Sequence, residues 1–331
     1  MLEVPDNADS ADPVALRRFR HDAMACTFEL ALVCEDAAYA GQAARAAFAE
    51  IDRVERELSR FIPTSDIARI NTLKPGETLR LGIEAVECLQ LAAEICADTN
   101  GAFDVTYASR RDVAAGPGTG RRSEPEAQAR APTASALPQA NHPESQSTRS
   151  QAPLELDPKS RCVRAQTEGV RVDLGGIGKG YAIDRVLPIL RDWSIDAGLI
   201  HAGQSSVYAL GAPLGAGHWR IALRDPASHD ETVAHASLAN AALSGSGRKL
   251  HGDHIIDART GRPVVERLAT WARAPSAALS DALSTAFMIM SPDVVASFCR
   301  EHCEVSALLL LETDGGRKLL RFGPGLAPEK K

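Results

Sequence analysis

The sequence predicts an α+β fold: mixed sheets with packed helices, forming a single compact unit over residues 16–327. Three observations carry that expectation. Strand-like and helix-like segments are interspersed without the regular βαβ repeat of a doubly wound parallel sheet. The helical segments carry apolar residues at three- and four-residue steps, whereas the strand-like ones are short and apolar. A polar stretch, residues 114–153, interrupts the pattern without starting a new one.

Residues 1–15 are polar and read as a loose tail. Residues 24–33 are strand-like, through Thr27, Phe28, Leu30, Leu32 and Val33. Residues 37–60 form a helix in which Phe48, Ile51, Val54 and Leu58 make one apolar face. Residues 83–98 form a second helix, with Val86, Leu89, Ala93 and Ile95 or Cys96 inward, ended by Asn100-Gly101. Residues 114–153 are rich in Ala, Pro, Ser, Gln, Arg and Gly, and Leu137 is their only large apolar side chain. Such a stretch cannot bury enough surface to offset the entropy of ordering, so it reads as a disordered insertion within one domain. Residues 154–157 and 170–174 are strand-like, and the second run enters Gly175-Gly176-Ile177-Gly178-Lys179-Gly180 before a helix over 181–193. Short strands follow at 199–201, 206–210, 219–223 and 235–238, then helices at 280–290 and 292–302. A strand at 305–311 and a hairpin to 319–322 close the chain.

The 37 Lys+Arg against 43 Asp+Glu leave a formal charge of −6. General nucleic-acid binding needs a basic face for phosphates and is therefore not expected. Aromatic residues, at 5%, are too few for base-stacking platforms. The seven cysteines contain no C-x-x-C pair and read as free thiols in a reducing compartment. No run approaches the ~18 apolar residues of a membrane span. The first residues show neither the basic and apolar regions of a secretory leader nor a lipobox, so a cytoplasmic chain is expected.

Five segments carry possible chemistry. In Val172-Asp173-Leu174-Gly175-Gly176-Ile177-Gly178-Lys179-Gly180-Tyr181 a strand enters a glycine-rich turn and a helix leaves it. Backbone N–H groups there suit a phosphate, and Lys179 adds positive charge; a tight structural turn gives the same pattern. The spacing is neither a Walker A loop nor G-x-G-x-x-G. Asn100-Gly101-Ala102-Phe103-Asp104 reads as a helix end or a binding loop, and Leu243-Ser244-Gly245-Ser246-Gly247-Arg248 as a loop that lets a ligand approach backbone. In His254-Ile255-Ile256-Asp257-Ala258-Arg259-Thr260-Gly261, His254 is either a strand residue or a general acid/base. Asp281 and Thr285 stand at i and i+4, so a carboxylate and a hydroxyl share a helical face. Oxygen donors so placed suit Mg²⁺, although a helix cap and an ordinary Thr read the same way.

In this order the segments resemble the ApbE family, the FAD:protein FMN transferases. The resemblance spans residues 20–110 and 154–325, with VDLGGIGKGYA and HIIDxxTG as its specific parts. Met24 with Thr27, Glu57-Leu58-Ser59-Arg60-Phe61, Ser65 and Asn71 match the family's opening segments. It implies an ApbE-like, T-fold-like architecture and a Mg²⁺-dependent enzyme that takes FAD as substrate. Such an enzyme moves FMN onto a Ser or Thr hydroxyl in the flavinylation motif of an acceptor flavoprotein and releases AMP. By position, Met24, Phe61, Ala102, Phe103, Asp104, Asp173, Lys179 and Ile255 fall where the family holds FAD. The Gly176 carbonyl and the side chains of Asp281 and Thr285 fall where it holds the metal, and His254 falls at its catalytic position. The chemistry agrees, since a pyrophosphate needs a cation and a backbone cradle and a hydroxyl nucleophile needs a base. An FAD pyrophosphatase giving FMN and AMP, or a non-catalytic FAD-binding protein, are the alternatives.

The chain also departs from the family pattern. His201-Ala202-Gly203-Gln204-Ser205-Ser206 replaces Asn-Ala-Gly-Gly-Asp, Met24-Ala25-Cys26-Thr27 replaces Met-Gly-Thr, and Ala258 replaces Pro. The family is commonly exported, often as lipoproteins, and no export signal is visible in this sequence. Because residues 114–153 lack core-forming side chains, deleting them is expected to leave the melting temperature nearly unchanged in a calorimetric scan. A loss of several degrees would show that the segment packs.

Overall fold

The computed structural model describes residues 2–3, 16–107, 152–213, 215–226, 231–247, 257, 259, 264, 267–313 and 316–328. The expected insertion lies outside them apart from residues 152 and 153. The chain runs β1 (Leu2–Glu3), β2 (Leu16–Ala23), β3 (Cys26–Val33), α1 (Ala37–Leu58), α2 (Asp66–Ile70), β4 (Thr78–Arg80) and α3 (Ile83–Asp98). It continues through β5 (Leu154–Asp157), β6 (Cys162–Ala165), α4 (Gly178–Asp192), β7 (Gly198–Ala202), β8 (Ser206–Leu210), β9 (Trp219–Arg224) and β10 (Thr232–Leu238). It ends in β11 (Ala241–Gly247), β12 (Arg267–Ala274), α5 (Ala277–Ile289), α6 (Pro292–Glu301), β13 (Ser306–Thr313), β14 (Gly316–Phe322) and β15 (Leu326–Pro328).

An eight-stranded sheet, in order β14-β13-β12-β11-β8-β7-β3-β2, forms the frame, and every pairing in it is antiparallel. Side chains alternate across it. Leu30, Leu32, Ile200, Ala272 and Leu309 join a core shared with the helices. Ala31, Leu199, Val207, Trp271, Leu308 and Leu310 join a second core against the sheet β1-β9-β10-β15. Burial on both faces explains why these strands read as near-continuous apolar runs, which an antiparallel sheet with one wet face would not show. Among the described residues no helix is long and apolar enough to cross a membrane.

Several expectations are corrected. Strand β3 starts two residues later than Met24, which with Ala25 forms the turn of the β2–β3 hairpin at φ 51° and 57°. Two residues of the expected loose tail, Leu2 and Glu3, pair with β9. Residues 170–174 form no strand: Val172 exchanges both backbone bonds with the Asn71 side chain, and Asp173 N donates to Val105 O. Gly178, Lys179 and Gly180 belong to the first turn of α4 rather than to its approach. Residues 243–247 are not a loop but lie in β11, between β8 and β12. The inward face of α1 is made by Ala40, Ala43, Ala44 and Ala47 with Ile51, Val54 and Leu58, while Phe48 is half-buried against His21. On α3 it is Ala92, not Ala93, that turns inward.

Charge is also buried between the helices. Glu84 on α3, 3% exposed, accepts from Arg53 of α1 (2.6 Å) and from the Tyr181 hydroxyl of α4 (2.6 Å). One carboxylate thus ties three helices together.

His201 on β7 is buried, and its Nε2 has no hydrogen-bond partner. Burial holds the imidazole pKa down at about 4, against 6.5 in water. The folded state therefore binds fewer protons than the unfolded chain between these values, and stability falls as pH drops through that window. The full effect is about 3 kcal/mol. Denaturation across pH 4–7 is expected to show this loss in the native chain and a flatter profile in His201→Asn. Equal slopes would place the imidazole in contact with water.

Candidate active site

The glycines at the start of α4 let four neighbours close in. A Cβ on Gly180 would lie 2.2 Å from the Ala277 carbonyl oxygen, so α4 and α5 touch backbone to backbone. A Cβ on Gly176 would lie 3.2 Å from Thr285 Oγ1 and 3.3 Å from the Phe103 ring. One on Gly178 would meet the end of Met24 at 3.4 Å.

Asp281, 4% exposed, faces this turn from α5. Its Oδ2 accepts from Gly180 N (3.3 Å) and lies 3.7 Å from Lys179 Nζ, while its Oδ1 accepts from Ser206 Oγ (3.1 Å). Lys179 Nζ also donates to the Gly175 carbonyl (3.0 Å). A buried carboxylate needs such partners, because leaving it unpaired costs several kcal/mol. One turn on, Thr285 Oγ1 is 3.4 Å from Ser246 Oγ, which is 2.8 Å from Ser284 Oγ. The alternation of β11 thus turns Ser246 toward α5, while Gly245 lets the Trp271 ring come within 2.8 Å of the position a Cβ would take.

Among the described residues no group of three or more His, Cys, Asp and Glu side chains could hold a metal. The oxygen set here is different: one carboxylate, one hydroxyl a turn away, and the backbone of Gly176, whose missing Cβ leaves it open toward Thr285. Such a mixed set fits Mg²⁺, which keeps waters and takes only one or two carboxylates.

Beside this cluster lies a cavity of about 350 Å³, within the ~300–1,000 Å³ of ligand pockets. Met24, Leu58 and Phe61 supply its apolar wall, and Glu55, Asp173 and Lys179 its polar one. Phe61 is 75% exposed, and the Arg60 guanidinium stands 4.7 Å from its ring centre. Arg60 also donates to Asp173 (2.5 Å), whose other oxygen accepts from Gly175 N (2.9 Å). Met24, in its left-handed turn, is held by its N–H to Glu55 (2.8 Å). Burial pushes the nearby Cys26 thiol up, so it stays protonated and is a poor nucleophile.

Of the residues expected to hold FAD, Met24, Phe61, Asp173 and Lys179 line this cavity. Ala102 and Phe103 are buried, Phe103 with its ring edge beside Gly176. Asp104 instead caps its own turn, accepting from the Thr106 amide and hydroxyl at 2.7 Å each. Gly176 lies against Thr285, and Asp281 faces the adjacent start of α4 through Gly180. His254 and Ile255 lie outside the described residues. Beyond them Asp257 pairs with Arg259 at 2.9 and 3.0 Å, and Arg259 Cγ lies 3.8 Å from where Gly101 would carry a Cβ. Arg259 of that motif therefore sits beside the Asn100-Gly101 turn. Arg60, Glu55 and Ser206 were not anticipated. Arg60 had a signal in the Ser59-Arg60-Phe61 match and Ser206 in the departing stretch 201–206, whereas Glu55 had none.

The model of the ApbE family matches residues 24–309. A relative from Klebsiella pneumoniae (strain 342), named FAD:protein FMN transferase, is 25% identical over 280 residues, which cover 81% of this chain and 76% of that one. One of the same name from Escherichia coli (strain K12) is 30% identical over 136 residues, 37% of each chain. The solved flavin transferase ApbE from Vibrio cholerae superposes with a TM-score of 0.73 at 20% identity, over 94% of this chain and 98% of that one. The ApbE protein from Thermotoga maritima gives 0.71 at 23%, over 93% and 97%. These likenesses show that the fold is shared. With the family model covering most of its length, the chain belongs to the ApbE family.

Proposed function

We propose that this chain is a Mg²⁺-dependent FAD:protein FMN transferase that moves FMN from FAD to a Ser or Thr hydroxyl of an acceptor flavoprotein and releases AMP. The observation that carries the reading is that Gly178 and Lys179, at the start of α4, line a cavity walled by Met24, Leu58 and Phe61, with buried Asp281 3.7 Å from the lysine. Apolar and aromatic side chains suit the flavin half, and a lysine on the first turn of a helix suits a pyrophosphate. The names of the relatives point the same way.

Asp281, Thr285 and the Gly176 carbonyl are the groups that would hold Mg²⁺, which when bound supplies charge against the pyrophosphate. Lys179, 3.7 Å from Asp281, adds positive charge for the phosphates. The acceptor hydroxyl oxygen forms the new bond to the FMN phosphorus, and the bond from that phosphorus to the bridging oxygen breaks, so AMP leaves with that oxygen. In this reading His254 takes the hydroxyl proton and passes it to solvent.

The chain, FAD, Mg²⁺ and candidate acceptors are to be incubated together and analysed by mass spectrometry. An FMN adduct on a Ser or Thr with release of AMP is expected. Free FMN and AMP without adduct would make the protein a pyrophosphatase, and tight FAD binding with neither product a flavin carrier. In Asp281→Ala the magnesium-dependent turnover is expected to vanish with the fold intact; an unchanged magnesium dependence would remove Asp281 from the metal.

His254→Ala is expected to keep FAD affinity by fluorescence titration and to lose about 10²–10⁴-fold in kcat, the range of general-base losses. Reduced FAD affinity with kcat retained would assign His254 to the pocket wall. AMP release at the native rate would take it out of the mechanism.

A further inference from the structure

We infer that Asp184 is a positioning residue for the metal site: from α4 it grips the first turn of α5 and so fixes Asp281 and Thr285 against Gly176 and Lys179. The inference rests on the metal reading above. Ser276, the cap of α5, satisfies only the Leu279 N–H, at 3.2 Å. The first two helical N–H groups, of Ala277 and Ala278, donate instead to the two oxygens of Asp184, at 2.8 Å each. The cap of this helix is therefore completed by a side chain of another helix.

The geometry makes this more than a cap. A planar carboxylate taking two parallel N–H bonds fixes direction as well as distance, and a negative charge at a helix N-terminus is favoured by the helix dipole. Asp184 lies one turn after Gly180 on α4, so the two residues share a face. Gly180 sets how near the helices come, since its Cβ would overlap the Ala277 carbonyl. It also donates its N–H to Asp281. Asp184 sets how α5 is turned about its axis. Asp281 and Thr285 lie one and two turns further along α5, so a rotation at its start swings both. Functional groups need placement within about 0.5 Å.

The probe is Mn²⁺, titrated by electron paramagnetic resonance against the native chain, Asp184→Ala, Asp184→Asn, Ser276→Ala and Asp281→Ala, with melting temperatures and FAD kinetics alongside. Asp184→Ala is expected to weaken Mn²⁺ about 10–100-fold, the usual cost of losing a group that orients a ligand. Its kcat should fall while the KM for FAD holds. Asp184→Asn, with one acceptor oxygen left, should lie between. Ser276→Ala should melt earlier with native Mn²⁺ affinity, because it weakens the same helix end without turning it. If Asp184→Ala does not fold, Asp184→Asn carries the comparison. Native Mn²⁺ affinity in the Asp184 variants overturns the inference, as does an equal loss in Ser276→Ala. A native chain that binds Mn²⁺ no better than Asp281→Ala overturns the metal reading, and the inference with it.

Discussion

Two helices meet at Gly180 with no room for a methyl group, and the site depends on that contact. Glycine inside a helix costs about 1 kcal/mol relative to alanine. Here it lets the α4 backbone reach the Ala277 carbonyl and brings the Gly180 N–H to Asp281. The glycines of this segment are not interchangeable. Gly176 admits Thr285 and Phe103, Gly178 admits Met24, and Gly180 admits α5 itself. These residues are thus a helix-packing notch, and a phosphate cradle in the same segment belongs to the proposed function.

Burying Asp281 is the second constraint. Its partners come from two elements: Gly180 and Lys179 on α4, and Ser206 at the start of β8. Lys179 supplies the counter-charge, its Nζ 3.7 Å from the carboxylate. The platform beneath is the eight-stranded sheet, buried on both faces. Ser206, Ser246 and Thr270 project from it toward α5, where Thr270 Oγ1 donates to the Ser284 carbonyl (2.6 Å). Hydroxyls rather than methyl groups at these positions anchor the helix directionally, which apolar packing alone does not do.

Where local periodicity decides structure, the sequence was legible. Residues 83–98 and 154–157 were read at their observed bounds. Asp281 and Thr285 were found because four-residue spacing puts them on one helical face. Strand β2 was missed because Arg17, Arg18 and Arg20 hide its pattern, and their role appears only when Arg18 and Arg20 pair with Glu29 across the hairpin. Residues 170–174 look like a strand because apolar and charged residues alternate, yet their backbone bonds go to Asn71 and Val105. Strand β11 was read as a loop because Ser and Gly are poor strand formers, and packing against α5 and Trp271 overrides propensity. Ser206 and Arg60 act through partners far along the chain, at Asp281 and Asp173, a relation that no spacing rule encodes.

Two of the departures from the family pattern, at Cys26 and along residues 201–206, are physically one change. Cys26 stands just after the Met24-Ala25 turn, and the altered stretch from His201 to Ser206 forms the β7–β8 turn. These turns touch: Gly203, at φ 58°, donates its N–H to the Thr27 carbonyl, and a Cβ on it would lie 3.4 Å from Cys26. A larger residue at either turn presses on the other, so neither position is free to vary alone. Both also border the charged cluster, since Cys26 lies within electrostatic reach of Lys179 and Asp281, and Ser206 bonds Asp281 directly. The helix side of the site cannot absorb such changes, because the α4–α5 contact is backbone against backbone. Two turns at strand ends can, because what they exchange is side-chain bulk. These two departures therefore fall at turns, while the glycine-rich helix start and the Asp281 and Thr285 pair keep the residues by which the chain resembles the family.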